Sequence, residues 1–362
     1  MTRVLIIGGY GNFGRFISKR LALESSLQII VAGRNYGKAQ ILAEELNAEA
    51  AVVDINHMLR NRLKEIKPDI VIHTSGPFQS QGYEVAEACI DYGAHYIDLA
   101  DAREFVSGIY VLNDSAKQAG ITVVSGASSV PCLTSALIEY YSGEFERIES
   151  VNYGITTAQK TTRGVATTAA ILSYTGHPFK TLINGKVKNV YGWQDIHFRK
   201  YKGLGWRLLG NCNVPDLDIF PDSHPELKTI RFYAGLELPF IHVTLWGLSW
   251  LVRIGLIKSL KKMAPLLLRL SFLFDWLGTD KSGFYMQLQG KGKNNADKTV
   301  LFELIAKSGD GPYIPCMPAI LVAKKLANRE LREAGAGPCV GMISKQEYLE
   351  ALEGLDIRWV EY

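Results

Sequence analysis

Short apolar segments alternate with helical patterns along the first 126 residues of the chain. Six of these segments are almost entirely apolar or β-branched, which is typical of strands that are buried on both faces of a parallel sheet. Between them, apolar residues recur at helical spacing, as at Phe13, Phe16, Ile17 and Leu21. This order predicts an α/β fold with a doubly wound parallel (Rossmann) sheet and right-handed crossovers. The predicted strands span residues 4–7, 28–32, 50–53, 70–73, 96–99 and 122–124, and two of the intervening helices span residues 80–92 and 102–118.

The pattern changes near residue 148, where longer β-branched segments replace the alternation of strands and helices. These segments predict a second, α+β domain that is built on a mixed or antiparallel sheet. Its predicted strands span residues 151–156, 186–191, 229–234, 285–290 and 298–305.

The end of the chain is helical again. After the turn at 310–312, an amphipathic helix is expected that contains Pro318, Ile320, Ala323, Leu326 and Ala327. Ser344 and Glu347 have the spacing of a helix capping box. We expect these last helices to return to the first domain. The predicted domains are therefore residues 1–128 with 312–362, which bind a nucleotide, and residues 129–311, which bind substrate and form a dimer interface.

Composition narrows the class of protein. The 362 residues are 47% hydrophobic and 21% charged, as in folded globular proteins, and the net charge of +4 gives no electrostatic reason to expect nucleic acid. Five widely spaced cysteines without a C-x-x-C pair argue against a disulfide framework and a zinc knuckle, and no metal site is predicted. The first apolar run is too short for a signal peptide, so we expect a cytoplasmic protein.

A glycine-rich loop follows the first predicted strand and opens the first helix. Its Gly9-x-Gly11-x-x-Gly14 spacing is typical of dinucleotide-binding loops. We expect Gly9 to allow a tight turn, Gly11 to let the backbone approach a pyrophosphate, and Gly14 to let the helix pack closely. The phosphates would then lie on the N-terminus of the helix. The cofactor candidates in this loop are Gly9, Tyr10, Gly11, Asn12, Phe13 and Gly14.

The end of the second predicted strand indicates which dinucleotide is bound. Sites for NAD place a carboxylate there to accept a hydrogen bond from the ribose 2′-hydroxyl. This chain has Arg34, Asn35 and Lys38 instead. Because a guanidinium attracts a 2′-phosphate that a carboxylate would repel, the sequence predicts NADP(H).

Several motifs resemble the saccharopine dehydrogenase family. They are the glycine loop, GRNYGKA at 33–39, GPF at 76–78, Y-x-D at 96–98, and the glycine- and proline-containing segments at 309–312 and 337–341. The resemblance implies reversible hydride transfer with a nicotinamide cofactor. It implies that Asp54 and Ile55 approach the adenine, and that the loop of Ser75, Gly76, Pro77 and Phe78 lies along the nicotinamide. Gly126, which follows the sixth predicted strand, is a further candidate for contact with the cofactor.

Three polar residues are candidates for catalysis. Asp98 ends the fifth predicted strand, with an end-of-strand cap as its alternative role. Cys132 follows Pro131 at the predicted domain crossing, with a small buried hydrophobe as its alternative. Arg163 precedes a predicted helix and is placed to bind an acidic group, with an exposed loop residue as its alternative. The dicarboxylate that true saccharopine enzymes bind calls for clustered arginines, but Arg199, Arg207 and Arg231 look scattered over the middle domain together with Arg163, so amino-acid substrates stay an open interpretation.

The segment at residues 239–278 is apolar, basic and rich in tryptophan. Its charge-free runs are too short to span a membrane. Three interpretations stay open: helices packed in a dimer interface or core, an apolar cap over a long substrate, and a peripheral membrane contact.

These observations predict an NADP(H)-dependent oxidoreductase. It would reduce or form a C=N, C=O or conjugated C=C bond in a small molecule, apolar or lipid-like substrates included, bound in the cleft between the domains. A homodimer is expected. The alternative is a non-catalytic NADP-binding protein that serves as a membrane-peripheral or scaffold protein.

Overall fold

The computed structural model describes residues 1–362, which form sixteen strands and thirteen α-helices. The strands are β1 (Thr2–Ile7), β2 (Leu27–Gly33), β3 (Glu49–Val52), β4 (Ile70–His73), β5 (His95–Asp98), β6 (Thr122–Ser125), β7 (Phe145–Thr157), β8 (Pro178–Ile183), β9 (Lys186–Tyr191), β10 (His197–Tyr201), β11 (Gly205–Asn211), β12 (Thr229–Leu236), β13 (Ser282–Gly292), β14 (Asp297–Ala306), β15 (Gly335–Pro338) and β16 (Ile357–Glu361). The helices are α1 (Asn12–Leu21), α2 (Tyr36–Leu46), α3 (Leu59–Ile66), α4 (Glu84–Tyr92), α5 (Arg103–Ser107), α6 (Asn113–Ala119), α7 (Thr134–Ser142), α8 (Val165–Tyr174), α9 (Asp216–Ser223), α10 (Pro239–Arg253), α11 (Ala264–Phe272), α12 (Met317–Ala327) and α13 (Lys345–Ala351).

The chain divides into two compact units. The first comprises Met1–Ala136 and Tyr313–Ala351, and the second comprises Leu137–Pro312 and Leu352–Tyr362. The predicted boundaries differ from these at three places. Residues 129–136 lie in the first unit, and Pro312 lies in the second. The last eleven residues also lie in the second unit, because β16 pairs antiparallel with β14 at the edge of the second sheet.

The first unit is built on a parallel sheet of seven strands in the order β15-β6-β5-β4-β1-β2-β3. All six predicted strands are present, so the predicted doubly wound sheet is confirmed. The seventh strand, β15, was not predicted because its sequence, Gly-Ala-Gly-Pro, has little tendency to form a strand. Its backbone pairs with β6 from Thr122 to Ser125 at the edge of the sheet.

Two predicted helices of this unit differ from the structure. The helix predicted at 80–92 begins only at Glu84, because Phe78–Ser80 forms a short 3-10 turn. The helix predicted at 102–118 is divided into α5 and α6 by a 3-10 turn at Gly108–Leu112. The helix that contains Pro318 is confirmed as α12. The capping box is also confirmed: the Ser344 amide donates to the Glu347 carboxylate at 2.8 Å, and the Glu347 amide donates to the Ser344 hydroxyl at 3.2 Å.

Strand β1 lies between β2 and β4 in this sheet, so the strand order reverses at β1. In doubly wound sheets, ligands bind at the carboxyl ends of the strands beside this reversal. A ligand site of the first unit is therefore expected at the loops after β1, β2 and β4.

The second unit contains a mixed sheet in the order β10-β11-β12-β7-β13-β14-β16, together with a separate hairpin of β8 and β9. Only β12 and β7 pair in parallel, and the other neighbours are antiparallel. The predicted α+β domain on a mixed sheet is confirmed. The strand predicted at 186–191 exists but belongs to the separate hairpin. Four strands of this unit, β8, β10, β11 and β16, were not predicted.

No helix in the structure combines the length and the hydropathy that a membrane span requires.

Candidate functional site

The loop between β1 and α1 is shaped by close contacts of its glycines. A Cβ atom at Gly14 would overlap the carbonyl oxygen of Gly8, so only glycine lets α1 approach the loop this closely. Gly8 has a φ of +82°, and a Cβ there would lie 2.6 Å from the Ser75 hydroxyl. The turn therefore depends on Gly8, a residue that the motif does not include, rather than on the conformation of Gly9.

The N-terminus of α1 is open. Its N-cap, Gly11, has no side chain, and the first turn of α1 contains no acidic residue. The first amides of the helix and its positive dipole end are therefore not neutralised by a side chain of the cap or of the first turn. Asn12 is exposed beside this end of the helix, and Phe13 is half-buried. This arrangement fits a pyrophosphate.

Tyr10 joins the glycine loop to the end of β2. Its ring lies so close to Gly33 that a Cβ there would be 2.5 Å from the ring, and its hydroxyl accepts the amide hydrogen of Asn35 at 3.0 Å. Asn35 in turn caps α2, because its side-chain oxygen accepts the amide hydrogen of Lys38 at 3.0 Å. Tyr10 and Asn35 thus fix the backbone from which Arg34 extends.

Arg34 and Lys38 are exposed at the N-terminus of α2. The acidic residues of this helix pair elsewhere, since Glu45 forms ion pairs with Arg15 and Lys19, and Glu44 accepts a hydrogen bond from Gln40. Two cationic side chains therefore extend from the end of β2 with no carboxylate of the chain bound to them. This arrangement suits a phosphate monoester on an adenosine ribose.

Asp54 and Ile55, after β3, have structural contacts. The Asp54 carboxylate accepts the amide hydrogen of Asn56 at 3.0 Å, which makes it a turn residue. Ile55 packs against the apolar core of the first unit. Their predicted approach to the adenine stays a prediction.

The loop after β4 is held by two buried or half-buried side chains that the sequence analysis missed. Gln81 donates its amide hydrogens to the carbonyl oxygens of Ser75 and Pro77, at 2.8 and 3.2 Å. Its amide oxygen lies 3.0 Å from Nε2 of His73, and burial lowers the pKa of His73 to about 4, so the ring is neutral and donates this hydrogen bond at neutral pH. The pair fixes the loop that the family resemblance places along the nicotinamide.

Phe78 takes a different position from the other members of this loop. Its ring is buried against His73 and Phe105, with centroid distances of 5.1 and 5.3 Å. Phe78 therefore anchors the loop in the core, while Ser75, Gly76 and Pro77 stay partly exposed.

Asp98 organises two loops from a fully buried position. Its Oδ1 accepts hydrogen bonds from the amides of Ala100 and Gly126 and from the Ser125 hydroxyl, at 2.9, 2.8 and 3.1 Å. Burial raises the pKa of Asp98 to about 6, although these donors oppose the shift. The geometry favours the end-of-strand cap over the catalytic role. The amide of Gly126 is used by Asp98, so it is not available to a cofactor.

Cys132 and Arg163 are also engaged within the fold. The Cys132 thiol is buried, and burial raises its pKa well above the ordinary range, so it stays protonated. Arg163 forms an ion pair with Asp275, and its guanidinium stacks on the Phe272 ring at 4.6 Å. The acidic group that Arg163 binds therefore belongs to this chain.

The three further arginines are not scattered, and that expectation is wrong. Arg199 and Arg207 face each other across β10 and β11, and the register places Arg231 of β12 on the same side of the sheet. Each has a carboxylate partner, in Glu303, Glu237 and Asp195 respectively. The same face carries a buried cluster of Tyr201, Leu209, Tyr233 and Tyr285, and the ion pairs leave no excess positive charge on the arginines to attract a dicarboxylate. No group of three or more His, Cys, Asp or Glu side chains is arranged to hold a metal ion.

Residues 4–124 match the family model of the saccharopine dehydrogenase NADP binding domain. The match confirms the resemblance seen in the motifs and confirms NADP(H) as the cofactor of this domain. The saccharopine dehydrogenase-like oxidoreductase of Rattus norvegicus is 26% identical over 150 residues, which cover 36% of this chain and 35% of the rat protein. The Homo sapiens protein of the same name is 26% identical over 149 residues, which cover 35% of each. The similarity thus spans about a third of the length of these relatives.

Two solved structures have a similar fold. The apo histidine-tagged saccharopine dehydrogenase (L-Glu forming) from Saccharomyces cerevisiae aligns over 100% of both chains with a TM-score of 0.69 and 14% identity. The homospermidine synthase from Legionella pneumophila in complex with NAD aligns over 100% of this chain and 91% of its own, with a TM-score of 0.61 and 11% identity. At such low identity, these likenesses concern the fold alone.

Replacing Gly14 with alanine tests the close approach of α1 to the glycine loop. Because the new Cβ would overlap the Gly8 carbonyl oxygen, Gly14→Ala should lower the free energy of unfolding by about 2 kcal/mol or more and weaken dinucleotide binding. Gly37→Ala is the matched control, since its Cβ would meet no atom closer than 3.6 Å. The control should be neutral or stabilising by less than about 1 kcal/mol. If urea unfolding shows that both variants lose the same free energy of unfolding, the steric argument is contradicted.

Two substitutions at Asp98 separate a structural role from a catalytic one. Asp98→Ala leaves three buried donors without an acceptor and should cost about 3 kcal/mol or more, whereas Asp98→Asn keeps an acceptor and should retain NADPH binding. The pKa of Asp98 is about 6 when folded and roughly 3.9 when unfolded, so the folded wild type binds more protons in this window and loses stability as pH rises through it. The stability of Asp98→Asn relative to wild type should therefore rise by up to about 3 kcal/mol between about pH 4 and pH 7. A difference that does not change with pH in urea titrations would refute this assignment.

Proposed function

We propose that this chain, whose residues 4–124 match the family model of the saccharopine dehydrogenase NADP binding domain, is an NADP(H)-dependent oxidoreductase that acts on a small molecule. The observation that carries the proposal is the pair of unpartnered cations at the end of β2, Arg34 and Lys38, beside an open helix N-terminus. The two cations suit the 2′-phosphate that distinguishes NADP(H) from NAD(H). The helix N-terminus suits the pyrophosphate that all nicotinamide dinucleotides share.

The residues of the first unit fit this cofactor at three places along the carboxyl edge of the sheet. The N-terminus of α1 would hold the pyrophosphate, Arg34 and Lys38 would hold the 2′-phosphate, and the loop of Ser75 to Pro77 would lie beside the nicotinamide. The bound cofactor supplies or accepts a hydride. The contribution of the chain is to bind it in one orientation, because hydride transfer depends on the alignment of donor and acceptor carbons.

His73 and Gln81 act as positioning residues in this proposal. Neither would touch the cofactor, but together they hold the carbonyl oxygens of Ser75 and Pro77 in place. Because the His73 ring is buried and neutral, this support does not depend on pH near neutrality. The nicotinamide loop is thus pre-organised before a ligand binds.

The alternative of an NADP-binding protein without turnover is supported by one specific observation. The three predicted catalytic side chains, Asp98, Cys132 and Arg163, are all engaged by other groups of the chain or buried among them. Assays of NADPH oxidation with imine, keto-acid and enoyl substrates distinguish the two functions. Turnover with any class supports the oxidoreductase, and binding without turnover supports the alternative. The predicted cytoplasmic location and the homodimer stay predictions.

Charge reversal at Arg34 tests the assignment of the 2′-phosphate site. Arg34→Asp replaces an attractive charge by a repulsive one, so it should raise the dissociation constant for NADPH on the order of 100-fold. The constant for NADH, which lacks this phosphate, should change by less than about threefold. Lys117→Asp, an equal change of charge at an exposed residue of α6 near the other edge of the sheet, is the control. Calorimetric titrations that show equal losses for both cofactors would contradict the assignment.

A further inference from the structure

Helix α10 presents apolar side chains to solvent. The residues that it buries are His242, Leu245, Ser249 and Val252, a stripe in which two of the four are polar. On the opposite side, Phe240, Val243 and Trp250 are exposed, followed by Ile254 just beyond the helix. An ordinary surface helix has the reverse arrangement, with its apolar stripe toward the core.

The segment after α10 extends this apolar surface. Phe240 packs edge-to-face on Phe274 at a centroid distance of 5.0 Å, which joins α10 to the residues that follow α11. The exposed fractions are 66% for Leu273 and 75% for Trp276, so most of the surface of each residue is open to solvent. We define the outer apolar surface by its exposed members, which are Phe240, Val243, Trp250, Ile254, Leu256, Leu266, Leu270, Phe272, Leu273, Trp276 and Leu277.

This surface is also the basic part of the protein. Residues 239–278 contain five lysines and arginines and a single acidic residue, Asp275, so they carry the same net charge as the whole chain, and the rest of the protein is neutral overall. Asp275 is paired with Arg163, whereas Lys258, Lys261, Lys262 and Arg269 take part in no ion pair of the structure. Residues 239–278 thus combine cations outside any ion pair with exposed leucine and tryptophan side chains.

We propose that the outer apolar surface docks onto an anionic lipid bilayer. Apolar side chains would enter the boundary between headgroups and acyl chains, tryptophans would lie at the level of the headgroups, and the lysines would contact anionic lipids. A second copy of the chain fits less well, because pairing two identical basic surfaces brings like charges together. With no helix long enough to span the bilayer, the helices would lie on it. This inference is independent of the proposed hydride transfer.

Vesicle flotation of the full chain tests the inference. Vesicles with about one phosphatidylserine in three lipids should bind the wild-type protein, and pure phosphatidylcholine vesicles should bind it much more weakly. The double variant Lys261→Glu with Lys262→Glu should reduce partitioning onto the anionic vesicles about 25-fold or more, at about fivefold for each lysine lost. High salt should weaken the wild-type binding in the same direction.

A second variant tests the apolar contribution. Leu270→Glu with Trp276→Glu should reduce binding to anionic vesicles tenfold or more, since both side chains leave the lipid. Val187→Glu, at a residue that is 68% exposed on β9 outside this surface, is the matched control and should leave binding unchanged. The NADPH dissociation constant and the melting temperature should be unchanged in all variants, because every substituted side chain is exposed or partly exposed and lies outside the cofactor loops.

Three results would overturn the inference: no flotation of the wild type with anionic vesicles, flotation that is unaffected by the variants, or equal binding to both kinds of vesicle. A dimer in light scattering that Leu270→Glu with Trp276→Glu converts to a monomer, without vesicle binding by the wild type, would assign the surface to a second copy instead.

Discussion

The contact between Gly14 and the Gly8 carbonyl is the constraint on which the cofactor site depends. It brings α1 onto the glycine loop, and the loop then turns at Gly8 without a Cβ that would strike Ser75. The same loop carries Tyr10, whose ring packs on Gly33, and leads into the open end of α1, and its Gly8 lies against Ser75 of the loop after β4. A side chain at Gly14 would push α1 away from the glycine loop, and one at Gly8 would push this loop away from the loop after β4.

A second constraint is the use of buried hydrogen bonds to fix the loops at the carboxyl edge of the sheet. Asp98 accepts three hydrogen bonds that connect the loop after β5 to the loop after β6. Within the loop after β4, the Gln81 side chain donates to the carbonyl oxygens of Ser75 and Pro77. Polar groups that are paired inside a protein stabilise one arrangement, because breaking any pair leaves a buried group unsatisfied. Asp98, which looks catalytic by its position, therefore holds the backbone of these loops.

The sequence predicted the parts of the fold that depend on local patterns. Continuous apolar runs indicated the six buried strands, and the spacing of Ser344 and Glu347 indicated a capping box that the structure contains. It did not predict β15, whose small residues pair only because β6 offers an open edge. The arginines looked scattered because their common face arises from the register of β10 and β11, two strands without a clear pattern. The roles of Gly8 and Gln81 depend on contacts between distant loops, which periodicity does not record.

The most direct test of the account is a calorimetric titration of the wild-type protein with NADPH and with NADH under identical conditions. The uncapped end of α1 and the free cations beside β2 predict saturable binding of NADPH, at least tenfold tighter than that of NADH, since hydrogen bonds to a charged phosphate contribute roughly 1.5–3 kcal/mol. Equal affinities would remove the role of Arg34 and Lys38. No binding of either dinucleotide would contradict the assignment of the site as a whole.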